Sequence, residues 1–214
     1  MNQKSAQLYE KGQVKAAIHL LVLAIDKHPR QEDNYLQLST YLLEQGSADQ
    51  AAELLVKAKQ LVAKPQLLDY NLASCYYYQG NFKKALGLLR RLPNDDANLY
   101  QKGLVYLKLG QPAQGLAHVL AMKHLDDDAR ELLGDLWLAQ GDLQRAQASL
   151  LQIPAVQRSA KVWFLLGVSC LAQNCDQAAS YFKKCRVQDE RYFLRAKKQY
   201  DGLLQLVKKR KDQS

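Results

Sequence analysis

The 214-residue chain lacks an apolar run long enough to cross a bilayer. Its best stretch, Ala16 to Ile25, is broken by His19 and falls well short of the roughly 20 residues a membrane helix needs. The chain opens on MNQKSAQ, so no secretory leader is expected, and a cytoplasmic setting is. Its four cysteines, Cys75, Cys170, Cys175 and Cys185, form no CxxC pair and match no zinc spacing, which reads as buried core thiols in a reducing compartment. There is no glycine-rich phosphate loop, no nucleophile elbow and no HExxH. His118 and His124 are six apart and cannot share a helix face as an i, i+4 metal pair would. Asp126, Asp127 and Asp128 read as caps at a helix start, where the helix dipole favours acid. Nothing here converges into a catalytic constellation, so no enzyme activity, metal or cofactor is expected.

Two features are abundant. Hydrophobic residues make up 48% of the chain against 24% charged, enough to fill a core. Tyrosine dominates the aromatics, with 12 against four Phe and two Trp. The net charge of +9 is uneven: from Lys183 to the end there are 11 Lys and Arg against 4 Asp and Glu, whereas the preceding residues carry 19 against 17. The basicity belongs to the C-terminal segment.

The glycines carry the organisation. Gly12, Gly46 and Gly80 are spaced 34 apart, and Gly110 and Gly141 follow after 30 and 31 residues. Each stands between two helical patterns, as a helix stop should. Upstream comes a small residue, then a large one: Ala73 and Tyr76, Gly103 and Tyr106, Gly134 and Trp137. Downstream a small residue follows at Ala17, Ala51, Ala85, Gly115 and Ala146, then a bulky one at Leu21, Leu55, Leu89, Val119 and Leu150. A sixth unit keeps Gly167, Cys170, Ala178, Phe182 and Cys185 but has Asn174 in the turn. The five prolines sit at helix ends or starts.

This small, large, Gly, small, large pattern resembles the tetratricopeptide repeat (TPR) family over residues 2–187, and the small stand-alone form resembles bacterial members. The resemblance implies an all-α superhelical solenoid of about six helix-turn-helix repeats, at 1–30, 31–64, 65–94, 95–125, 126–154 and 155–188. A capping helix and basic tail follow at 189–214. The expected first helices are 2–11, 32–45, 66–79, 95–109, 127–140 and 156–173. The second helices are 14–28, 48–62, 82–92, 112–124, 143–152 and 176–187. A last helix over about 190–210 has Phe193, Ala196, Tyr200, Leu203 and Val207 on one face. No unit can bury its apolar face alone, so the units should stack.

In TPR arrays the first helices line a concave groove, and the resemblance implies a scaffold or adaptor that binds a peptide or protein segment there. Carried over by register, the groove positions include Leu36, Thr40 and Leu43; Tyr70, Asn71, Ser74 and Tyr77; Tyr100, Leu104 and Leu107; Glu131, Asp135 and Leu138; and Phe164, Val168 and Leu171. Asn71 matches a position that often bonds a ligand's backbone, and Glu131 and Asp135 form an acidic patch with Asp128. The family's carboxylate clamp is not expected, because Asn2, Ala6, Gln37, Leu67 and Asn71 stand at its places and its cations are missing. A second reading is nucleic-acid or acidic-surface association through Lys197, Lys198, Lys208, Lys209, Arg210 and Lys211. Self-association is a third.

Overall fold

The computed structural model describes residues 1–173 and 175–211, the last ten by their backbone alone. The described residues are helical throughout, with thirteen α-helices, one 3-10 turn and no strand. The chain divides into two compact units, Met1–Leu109 and Gly110–Ser214.

The first unit holds α1 (Gln3–Glu10), α2 (Val14–Lys27), α3 (Glu32–Glu44), α4 (Ala48–Ala58), α5 (Asp69–Tyr78), α6 (Phe82–Leu89) and α7 (Asp96–Lys108). Helices α1 and α2, α3 and α4, and α5 and α6 pack as hairpins, and each second helix also packs on the first helix of the next hairpin. The turn glycines Gly12, Gly46 and Gly80 all have φ 74°, a left-handed conformation that strains a residue bearing a Cβ. In the third hairpin the Gly80 N–H donates to the Tyr77 carbonyl and the Asn81 N–H to the Tyr76 carbonyl, so the helix end is closed by its own backbone.

Fully buried Ala17, Ala51, Ala73 and Ala85 sit where the two helices of a hairpin approach, against buried Leu21, Leu55 and Leu89. The second helices stop earlier than the periodicity predicts, α4 at Ala58 and α6 at Leu89. The cause at α6 is local. Arg91 and Leu92 make tighter i to i−3 bonds, and the Asn98 amide of α7 donates to the carbonyls of Leu89, Leu92 and Pro93. Helix α5 begins at Asp69 rather than 66 because Pro65–Leu68 forms a 3-10 turn, and the Asp69 carboxylate accepts from Lys59 at the end of α4.

The second unit holds α8 (Pro112–Val119), α9 (Asp127–Gln140), α10 (Leu143–Leu151), α11 (Ala160–Ala172), α12 (Ala178–Gln188) and α13 (Glu190–Lys211). Asp126 caps α9 by accepting from the Ala129 N–H at 2.8 Å, so the Asp126–Asp128 run opens a helix. Ser159 caps α11, which starts four residues later than expected because Arg158 holds the carbonyls of Leu151 and Ile153 after α10. Gly134 and Gly167 are needed for closeness. A Cβ on either would lie 2.5 Å from a side chain of the partner helix, Leu150 and Phe182 respectively. Helix α13 packs on α11 and α12, with Phe193, Ala196 and Tyr200 in their shared core. Leu203 and Val207 fall outside the described side chains.

The cysteines correct one expectation. Cys75 and Cys185 are buried free thiols, but Cys170 and Cys175 form a disulfide. Their spacing matches no CxxC or zinc pattern, and a reducing compartment favours thiols, so the sequence alone does not pair them. The helix ends between them, and the chain folds back. Among the described residues no helix is long and apolar enough to cross a membrane, and no group of three or more His, Cys, Asp or Glu could hold a metal ion.

Candidate functional site

Within the first unit, α3, α5 and α7 are neighbours and present one common face. The residues expected there stay only partly covered: Leu36 and Leu43 on α3, Tyr70, Ser74 and Tyr77 on α5, and Tyr100, Leu104 and Leu107 on α7 are half-buried, and Thr40 is exposed. The hydroxyls of Thr40 and Ser74 donate to the carbonyls of Leu36 and Tyr70 in their own helices, which leaves their methyl and methylene sides on the face. The Tyr70 hydroxyl donates to the Ala97 carbonyl at 3.5 Å and ties α5 to the start of α7. Burial, with the charge of Asp95 nearby, raises the Tyr70 pKa. The Tyr77 ring stands edge-on to Tyr78, with centroids 5.4 Å apart, and tilts against Phe82 at 5.8 Å.

Asn71 is engaged within the protein through its amide nitrogen. Its amide nitrogen donates to Leu36 O, Ser39 Oγ and Thr40 Oγ1, at 3.2, 2.9 and 3.2 Å, and so stitches α5 to α3. Gln37 does the same one repeat earlier: its amide exchanges bonds with the backbone N–H and carbonyl of Asn2 and donates to the Tyr41 hydroxyl. These amides hold first helices together. Beside them a hollow of about 360 Å³ opens between Asp33, Leu36, Gln37, Thr40, Tyr41 and Asn71. Tyr41, whose ring stacks on Tyr9 with centroids 3.8 Å apart, was not among the expected lining residues. It lies two residues past Ser39, off the register that defines the groove.

In the second unit the corresponding positions are engaged with one another. Lys161 of α11 reaches Glu131 at 2.8 Å and Asp135 at 2.5 Å on α9, and Ser159 Oγ donates to Glu131. Burial opposes the Lys161 charge, but Asp135 and Glu131 outweigh it and hold its pKa above the usual lysine range. Two of the three carboxylates of the expected acidic patch, Glu131 and Asp135, thus share the Lys161 charge, and Asp128 is exposed. Lys161 went unrecognised although it sits six residues before Gly167, the same register as Asp128 before Gly134. A charge of opposite sign one repeat along was the available signal.

Phe164 is largely covered by other rings of its own unit. It is 6% exposed, and its ring meets Phe182, Tyr192, Phe193 and Tyr200 at centroid distances of 5.5 to 6.5 Å. The last helix supplies three of those rings, which a one-repeat register could not show. A pocket of about 250 Å³ remains between Phe164, Leu171, Phe182, Phe193, Lys197 and Tyr200. Lys197 and Lys198 are exposed on α13, and the side chains of Lys208, Lys209, Arg210 and Lys211 lie outside those described.

Two tetratricopeptide repeat models match the sequence, one over residues 42–105 and the other over 100–156, together more than half of the chain. The chain belongs to the tetratricopeptide repeat family. Its fold class is therefore the all-α TPR type, a class that supports protein-interaction scaffolds. No curated protein matches the chain. Among solved structures, pilF from Pseudomonas aeruginosa superposes with a TM-score of 0.70 at 18% identity, over 88% of this chain and 90% of that one. A chain of the APC/C hetero-tetramer Cut9–Hcn1 gives 0.71 at 14% identity over 87% of this chain, which spans only 39% of that chain's length. YrrB, described as a TPR protein with an unusual peptide-binding site, gives 0.59 at 21% identity, over 83% and 97%. At these identities the likeness is one of fold.

Proposed function

We propose that this TPR protein is a non-enzymatic scaffold that binds a peptide or protein segment on the α3, α5 and α7 face of its first unit. The observation that carries the reading is the state of that face. Leu36, Thr40, Tyr70, Ser74, Tyr77, Tyr100, Leu104 and Leu107 are apolar or hydroxylic, yet they remain half-buried or exposed, where a core would cover them. Tyrosine supplies large contact area at low rotamer cost together with a polar tip. The face is poor in charge, so the fitting ligand is an apolar or mixed segment held with little salt dependence. The test is an affinity pull-down from host lysate at low and high salt, with wild type and a Tyr70→Ala/Tyr100→Ala variant. Retention of a protein at high salt by wild type alone supports the scaffold. Equal retention by both removes the face.

A second reading has one specific observation behind it: Arg191, Arg195, Lys197 and Lys198 are all exposed on α13. That surface suits nucleic acid or another acidic surface through its charge. Binding of that kind falls steeply as salt rises and is lost in an Arg191→Gln/Lys197→Gln/Lys198→Gln variant. Self-association through the open face would appear as a mass that grows with concentration.

A further inference from the structure

Five of the hairpin turns contain glycine, and the sixth does not. In sequence register Asn174 stands where Gly141 stands in the preceding repeat. In four of the glycine turns, the residue after the glycine donates its N–H to the carbonyl five residues back. Gln13 donates to Leu8, Ser47 to Leu42, Asn81 to Tyr76 and Asp142 to Trp137, at 2.9, 2.8, 2.7 and 2.9 Å. In the sixth turn Cys175 N–H donates to the Cys170 carbonyl at 2.9 Å, and the same two residues are also joined through their sulfurs. The disulfide thus bridges the pair that the backbone alone holds elsewhere. It occupies the place where a hydrophobic contact usually accompanies this turn.

The two sulfurs are placed differently. Cys170 is fully buried in the core made by α11, α12 and α13, with Cys185 in the same cluster. Cys175 is half-buried in the turn. Leu171, next to Cys170, is 48% exposed and lines the pocket under α13.

We propose that Cys170 and Cys175 are a reversible thiol–disulfide modification site, a staple that takes the place of the turn glycine, and that its reduction by low-molecular-weight thiols loosens α12 and α13 from α11. A thiolate attacks the Cys175 sulfur, the S–S bond breaks, and the electron pair leaves on Cys170, which then takes a proton. A second thiolate attacks the external sulfur of the mixed disulfide and releases Cys175 as a thiol. Two small thiols are oxidised to their disulfide while the protein disulfide is reduced to two thiols, and the reverse exchange restores the staple. Loosening follows because the open turn no longer has a cross-link constraining the unfolded hairpin, and in sequence it carries no glycine in register, the residue that closes the other turns. Where small thiols are abundant such a pair is a responsive element rather than a permanent brace. Cys75 and Cys185 stay out of the exchange, being buried thiols with pKa pushed up to about 11.

The test uses the full chain, purified without reductant. Titration of thiols in denaturant should find two, rising to four after dithiothreitol. Reduction should lower the melting transition by about 5 °C. It should also speed amide exchange in α12 and α13 by about tenfold while leaving α3 unchanged. A Cys175→Ser variant should behave like reduced wild type and ignore dithiothreitol, and adding Asn174→Gly to it should recover part of the loss. Four free thiols before reduction, or identical melting and exchange with and without dithiothreitol, would overturn the proposal. None of these outcomes bears on ligand binding at the first unit.

Discussion

The same positions of the repeat have opposite fates in the two units. Three residues before the recurring small residue, the first unit has Leu36, Tyr70 and Tyr100, all half-buried, and the second has Glu131, engaged by Lys161, and Phe164, enclosed by rings. One position after the small residue, the Ser74 hydroxyl bonds within its own helix, Thr40 bonds within its helix and also accepts from Asn71, and Leu104 has no polar atom, whereas Asp135 is ion-paired with Lys161. In the first unit those side chains pack against the core from one side and leave the other uncovered. In the second, the corresponding residues build the end of the array. A repeat thus fixes where a side chain sits, and its chemical neighbours decide whether that place is surface or core.

The strongest way to break this comparison is a matched pair of truncations. Phe164→Ala should destabilise the protein by about 3–5 kcal/mol, since it empties a closed aromatic cluster. Tyr70→Ala should lose about 1 kcal/mol in stability, mainly its bond to α7. Urea midpoints that fall equally would show that both faces are core. Next in size, Gly167→Ala should cost about 1–3 kcal/mol, because the new Cβ meets the Phe182 ring at 2.5 Å. Gly87→Ala on α6, where a Cβ meets nothing within 4 Å, should instead stabilise by about 0.5–1 kcal/mol. Thermal melts of the two variants should move in opposite directions.

Binding separates the units again. Tyr70→Ala and Tyr100→Ala should each weaken a retained partner by about 1–2 kcal/mol, read by titration calorimetry. The smallest expected effect is at Lys161→Met, about 1 kcal/mol of stability at neutral pH, because a side chain 38% exposed is partly screened. The sign with pH follows from its raised pKa. The contribution is fully present below the unfolded lysine pKa and is lost as pH rises through the folded value. The wild-type and variant urea midpoints should therefore differ across the neutral range and draw together in strong alkali.

The glycine period made most of the fold legible, because a left-handed helix stop and a small-for-close-packing residue are constraints that few residue types satisfy. Expected helix starts at 32, 48, 82, 112 and 143 match the structure at Glu32, Ala48, Phe82, Pro112 and Leu143. Helix ends were less legible, since they depend on donors from elsewhere, such as Asn98 and Arg158. The partly open positions on α3, α5 and α7 followed from register alone. Lys161, the Asn71 stitch and the enclosure of Phe164 did not, because each depends on a side chain one repeat away or on α13. The disulfide was illegible for a different reason: the expected helix end at 173 already separates its two cysteines, but their spacing matches no pairing motif and the expected reducing compartment favours thiols.

Hydrogen exchange of the full chain with and without the partner recovered at high salt tests the central claim most directly. The account predicts slowed exchange in α3, α5 and α7 of wild type, and no such change in the Tyr70→Ala/Tyr100→Ala variant at the same concentrations. Protection confined to α13, with α3, α5 and α7 unchanged, would contradict it.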